Sequence, residues 1–207
     1  MQPAALAQKK GLTASERNNR KRAWYWRKLK ALCHRRLRFI DETGINIALT
    51  RRYGRAPRGE RVSEAVPKNY REQRSVISSM SVDGVAAVFI IEGAVDTTAF
   101  DVYVERVLRP TMRKGDIFVL DNLTAHHASQ IEEVAAQCAA RVLWLAPYSP
   151  DLSPIELLWS KIKTGLRKAK ARTIEELSQA LNKGLELITL NDCRAWFEHC
   201  GYSVASD

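Results

Sequence analysis

Two aspartates stand where aspartate is a poor fit. "RLRFID" (36–41) and "DIFVLD" (116–121) read as short apolar strands, and each closes on an acid, Asp41 and Asp121. Strands disfavour aspartate, so an acid closing such a run needs a reason. In open α/β sheets, chemistry gathers at strand ends and at the helix starts beside them. If these two ends are neighbours, two carboxylates are forced together. Like charges at that range repel and hold protons, unless a cation joins them. Oxygen-only ligands suit Mg²⁺ or Mn²⁺, which use a few carboxylates and keep waters for phosphates.

A third acid would complete such a site, and "PYSPDLSPIELLWSKIK" (147–163) offers Asp151 and Glu156. Asp151 lies in a Pro-bounded turn, and a turn role accounts for it. Glu156 has two readings. Ser153-Pro154-Ile155-Glu156 has the form of a capping box, with Ser at the N-cap, Pro at the first helical position and Glu at the third. A Glu near that helix start could equally face the strand ends. The local residues leave the two open.

The elements that must position these acids follow from periodicity. A helix is predicted from Thr13 to about Arg36, then the strand ending at Asp41, which "GINIALT" (44–50) continues or returns. Residues 51–73 form a long polar loop carrying Arg51, Arg52, Arg55, Arg58 and Arg61; loops of that length tend to be functional. "SVISSMSV" and "VAAVFIIEG" flank Asp83-Gly84, a strong hairpin signal. A helix over 96–112 should bury Phe100, Tyr103, Val104, Val107 and Leu108. A strand (116–121), a helix (125–139) and a strand (141–147) follow, then helices at 153–170, 173–189 and 192–198. Strands alternating with helices imply an α/β mixed sheet covered on both faces.

The 207 residues carry a net charge of +10, unevenly placed. Residues 1–38 hold 12 of the 33 Lys/Arg and one of the 23 Asp/Glu, which leaves a nearly neutral body of 21 basic and 22 acidic residues. Such a segment is suited to a phosphate backbone. "RNNRKRAWYWRKLK" interleaves aromatics with charge, which fits contact with bases and sugars. It fits equally a helix that docks Trp24 or Trp26 on the body. Cys33, Cys138, Cys193 and Cys200 form no C-x-x-C pair and no zinc spacing, which points to reduced thiols. No apolar run is long enough to span a bilayer and no secretory signal is evident, so a cytoplasmic protein is expected.

"FIDETG", "YGRAPRGER", "VLDNLTAHHA", "PYSPDLSPIELLWSKIK" and the closing "WFEHCGY" occur in this order. Together they resemble the catalytic half of bacterial insertion-sequence transposases, in the family called insertion sequence six-thirty of the mariner superfamily. The resemblance runs from about Gln8 to Tyr202. It implies a ribonuclease-H-like fold, a mixed central sheet flanked by helices. It also implies a D-D-E triad of Asp41, Asp121 and Glu156, the last two 35 residues apart. Asn122 and His126 match a D-N-x-x-x-H pattern and would support the metal or the phosphate, though helix capping would also explain them.

By the same resemblance the cofactor is Mg²⁺ or Mn²⁺, as two ions. The partners are double-stranded DNA with terminal inverted repeats and a TA target, bound by a homodimer, with no membrane and no small-molecule substrate. Arg51, Arg52, Arg55, Arg58, Arg61, Lys161 and Lys163 are the candidate DNA contacts. The implied organisation is a basic helical extension (1–35), the catalytic domain (36–172) and a C-terminal helical extension (173–207). Ser153 stands where the family commonly has Asn, and both cap helices well. Full-length members resemble a helix-turn-helix region joined to this half, and this chain begins near the linker, so end-specific recognition is not expected of it alone. A DNA-gripping remnant that no longer cuts, or another nuclease on the same fold, would share these acids.

Overall fold

The computed structural model describes residues 14–51, 53–68, 73–121 and 128–204. Arg52, Asn122 and His126 lie outside them. A five-stranded sheet has the order β3-β2-β1-β4-β5. Strands β1 (Leu37–Asn46), β2 (Gln73–Ser81) and β3 (Gly84–Glu92) form an antiparallel meander, while β4 (Ile117–Leu120) and β5 (Arg141–Trp144) run parallel to β1. The expected hairpin is present. Gly84 takes φ 124 at its tip, and the Ser81 hydroxyl accepts from the Asp83 N–H at 3.2 Å.

The period-2 alternation of β1 divides the core. Leu37, Phe39 and Ile45 face a layer built by α1 (Asn19–Leu29), α4 (Pro154–Ala169), α5 (Ile174–Glu186) and α6 (Leu190–His199). Ile40 faces the other layer, built by α2 (Thr97–Val102), its extension to Leu108, and α3 (Ala128–Gln137). Phe118 and Leu120 of β4 also belong to that second layer, while Ile117 and Val119 join the first.

Several elements depart from the sequence expectation. "GINIALT" does not return: β1 runs on as one strand to Asn46, because β2 pairs with it along Phe39–Asn46. The first helix is shorter than 13–36. Asn18 caps it by accepting from Arg20 N and Lys21 N, and Cys33 turns extended (ψ 112) so that the chain can enter β1. Its anchor is Tyr25, fully buried with Leu29, whereas Trp26 is half-buried and Trp24 exposed. The helix begun at Thr97, capped as expected by Asp96, widens into a π-helix over Tyr103–Leu108 and ends in a 3₁₀ turn at Pro110.

Candidate active site

Asp41 is not at a strand end. It sits inside β1 opposite Ser78, where the partner on the other side runs out. The parallel register pairs Phe39 with Val119, and β4 stops at Leu120. Two steps further, Asp41 comes level with Asp121. By the same alternation both follow Phe39 and Val119 to the face that α4 covers. The acid therefore sits in mid-strand because β1 outlasts β4, an effect that local sequence does not show.

Glu156 enters from α4. It stands in the first turn, after Ser153 at the N-cap and Pro154 at the first position. The capping box expected there does not form, because the Ser153 side chain makes no cap bond. The two following helices do have capping boxes, Thr173 with Glu176 and Thr189 with Asp192. Ser153→Ala loses no cap bond and should cost less than Thr173→Ala, which should cost about 1 kcal/mol. Urea unfolding of the two variants checks the contrast.

One helical turn beyond Glu156, Trp159 donates its indole N–H to Asp41 Oδ2 at 3.1 Å. The i, i+3 spacing in "IELLW" already places both on one helix face, but nothing local shows that the indole meets a carboxylate. Asp41, Asp121 and Glu156 line two adjoining clefts. One, of about 560 Å³, also takes in Thr43, Trp159, Ser160 and Lys163. The other, of about 440 Å³, is walled by Leu145, Pro147 and Tyr148.

The electrostatics are those of crowded acids. Burial, then repulsion from Glu156 and from Asp121, pushes the Asp41 carboxyl up to about 7, against the opposing Glu42 N–H and Trp159 indole. Burial also raises Glu156. Lys163 pulls it back down and Asp121 pushes it up. Glu156 is exposed at the cleft mouth and Asp41 is more enclosed, so the cost of crowding falls mainly on Asp41. All three side chains are carboxylates, which offer the oxygen-only set that fits Mg²⁺ or Mn²⁺. As placed, no three His, Cys, Asp or Glu side chains among the described residues converge on one ion position. To share an ion, the carboxylates would have to swing inward.

The remaining candidates divide. Lys163 lines the larger cleft. Lys161 turns away: its Nζ meets Asp192 at 2.7 Å, so its charge is matched within the fold. Arg51, Arg55, Arg58 and Arg61 lie exposed on the 51–68 segment. That segment is tied back by Glu64, which meets Lys170 Nζ at 2.8 Å and accepts from Thr50 at 3.2 Å. Asp151 has more than a turn role, because its carboxylate is gripped by Arg17 and Arg22.

With this geometry in place, the fold has clear relatives. The chain resembles Mos1 transposase in a pre-cleavage transpososome (18% identity, 95% of this chain and 64% of that one, TM-score 0.72). It also resembles the Mos1 mariner paired-end complex with Mn (19% identity, 93% and 62%, TM-score 0.65). A further match is the Mos1 mariner transposase catalytic domain (15% identity, 92% and 91%, TM-score 0.60). These likenesses establish a ribonuclease-H-like fold. The chain spans about 64% of the length of the transposase in the first of them. No curated protein sequence matches the chain. The DDE superfamily endonuclease family model matches residues 36–178, more than half of the chain, and the chain belongs to that family. No helix among the described residues is long and apolar enough to cross a membrane.

Proposed function

We propose that this chain is the catalytic part of a DNA transposase, of the bacterial insertion sequence six-thirty type, and that it acts at the nucleoid. One observation carries the reading: acids from β1, from the end of β4 and from the first turn of α4 meet at the same pair of clefts. Asp41, Asp121 and Glu156 would hold the divalent metal. Structures of Mos1 transposase that hold Mg and Mn support this choice of ion. When bound, the metal supplies Lewis-acid activation of a water or 3′-hydroxyl and charge relief at the leaving oxygen.

The chain's own groups prepare that chemistry. Trp159 holds one Asp41 oxygen by its indole N–H, which fixes how the carboxylate faces the cleft. Lys163 keeps Glu156 closer to its ionised form. The exposed arginines 51, 55, 58 and 61, with Arg52, suit non-specific contact with a duplex backbone. Asn122, next to Asp121, and His126, five positions after it, would support the metal or the scissile phosphate. Residues 36–172 would carry the chemistry, with the helices of 1–35 and 173–207 bracing it. The reaction would be hydrolysis at inverted-repeat ends followed by strand transfer to a TA target by a homodimer; the sequence resemblance supports those last details.

The test is incubation of the protein with a labelled duplex bearing terminal inverted repeats and Mg²⁺ or Mn²⁺. Cleavage that Glu156→Gln reduces by about 10³-fold or more is expected, since a metal's contribution is several kcal/mol and each 1.36 kcal/mol is tenfold. Salt-sensitive binding without cleavage, unchanged in Glu156→Gln, would mean a binding module.

A further inference from the structure

The turn that delivers Glu156 is held from outside its own helix. Pro150–Leu152 forms one 3₁₀ turn directly before α4, closed by Leu152 N to Ser149 O and Ser153 N to Pro150 O, both at 3.0 Å. Ser153 adds no side-chain cap. Two distant parts of the chain fix the turn instead.

The first is α1 and the residues before it. Arg22 forks onto Asp151, Nη1 donating to Oδ1 at 3.0 Å and Nη2 to Oδ2 at 2.8 Å, and Arg17 Nη2 donates to Oδ2 at 3.2 Å. The Arg22 side chain is 13% exposed and the Asp151 side chain 49%, so the fork is seated on the arginine side and open to solvent on the carboxylate side. A fork on a carboxylate fixes an angle as well as a distance.

The second is the C-terminal end. The Tyr202 hydroxyl donates to the Leu152 carbonyl at 2.6 Å. That uses its one proton, so the 2.9 Å contact between hydroxyls runs from Tyr25 to Tyr202. Burial raises both phenols and keeps them neutral. A buried one-way chain thus leads from α1 through Tyr202 to the backbone beside Asp151.

We infer that Asp151 is a positioning residue for Glu156, an inference that rests on the proposed reading of Glu156 as a metal carboxylate. The Arg22–Asp151 clamp, backed by the Tyr25–Tyr202 chain, sets where α4 begins and so how far its first-turn carboxylate reaches toward Asp41 and Asp121. The aspartate that sequence assigns to a turn is the link between the basic N-terminal helix and the cleft. Two of the N-terminal arginines therefore act inside the fold.

The test uses the full chain and three variants: Asp151→Ala, Arg22→Asp, and the charge swap Arg22→Asp with Asp151→Arg. Two measurements are made. One is amide hydrogen exchange over residues 152–158 without metal or DNA; the other is steady-state cleavage of labelled duplex with Mn²⁺. Asp151→Ala should speed exchange by about tenfold or more and lower kcat by about 10- to 100-fold, on the scale of a catalytic group displaced by about 1 Å. Its KM for DNA should be no higher than the wild type's. The swap should recover most of both losses.

Exchange unchanged in Asp151→Ala overturns the inference, whether or not the protein cuts DNA. A swap no better than the single variants, or a loss carried by KM, overturns it as well. A wild type that cuts nothing counts against the proposed function, while the exchange result still decides whether the clamp holds the turn.

Discussion

Asp41→Asn is expected to unfold later than the wild type at pH 8 and to cut no DNA. The carboxylate is enclosed and faces two other acids, so its carboxyl is pushed up to about 7, from an ordinary value near 4. Above about pH 7 it is ionised both folded and unfolded, and the folded state bears the whole cost of that charge. Between about pH 7 and pH 4 the folded chain holds a proton that the unfolded chain has lost. Wild-type stability therefore rises as pH falls through this window, by at most about 1.4 kcal/mol per unit. Below pH 4 both states are protonated and the cost is gone.

Asparagine carries no charge and keeps an oxygen to accept from Trp159. At pH 8 the variant should gain on the order of a few kcal/mol, shrinking to near zero by about pH 4. On the proposed reading the lost carboxylate would hold the metal, and activity should fall by about 10³-fold or more. Urea unfolding in a chelator at pH 8, 6 and 4.5 checks the stability half. A difference that does not vary with pH would remove Asp41 as the strained member of the cluster.

Much of the site is legible in the sequence because its residues violate local rules. Asp41 and Asp121 close apolar runs where aspartate fits badly, and the Ser-Pro punctuation marks where the helix bearing Glu156 begins. What is not legible is set at long range. That β1 continues past Asp41 depends on pairing with β2 across a loop. Trp159 reads as a core helix residue, and its bond to Asp41 spans 118 positions. Asp151 looks complete as a turn residue until Arg22, 129 positions away, is placed beside it. Lys161 and Lys163 are alike in sequence; helix rotation sends one to Asp192 and the other to the cleft. The capping box fails for a similar reason. "SPIE" satisfies the pattern as well as "TIEE" does, but only Thr173 and Glu176 close on each other.

The claim at the centre is that Asp41, Asp121 and Glu156 act as one divalent-ion site, and thermal unfolding with and without Mn²⁺ tests it most directly. An ion that binds only the folded chain stabilises it by about 2.7 kcal/mol at a hundred times its Kd. For a chain of this size that is a rise in Tm of roughly 5–10 °C. Each of Asp41→Asn, Asp121→Asn and Glu156→Gln should lose most of that rise, although Asp41→Asn starts from a higher Tm at pH 8. A wild type whose Tm does not respond to Mn²⁺, or variants that respond as fully as the wild type, would contradict a shared site.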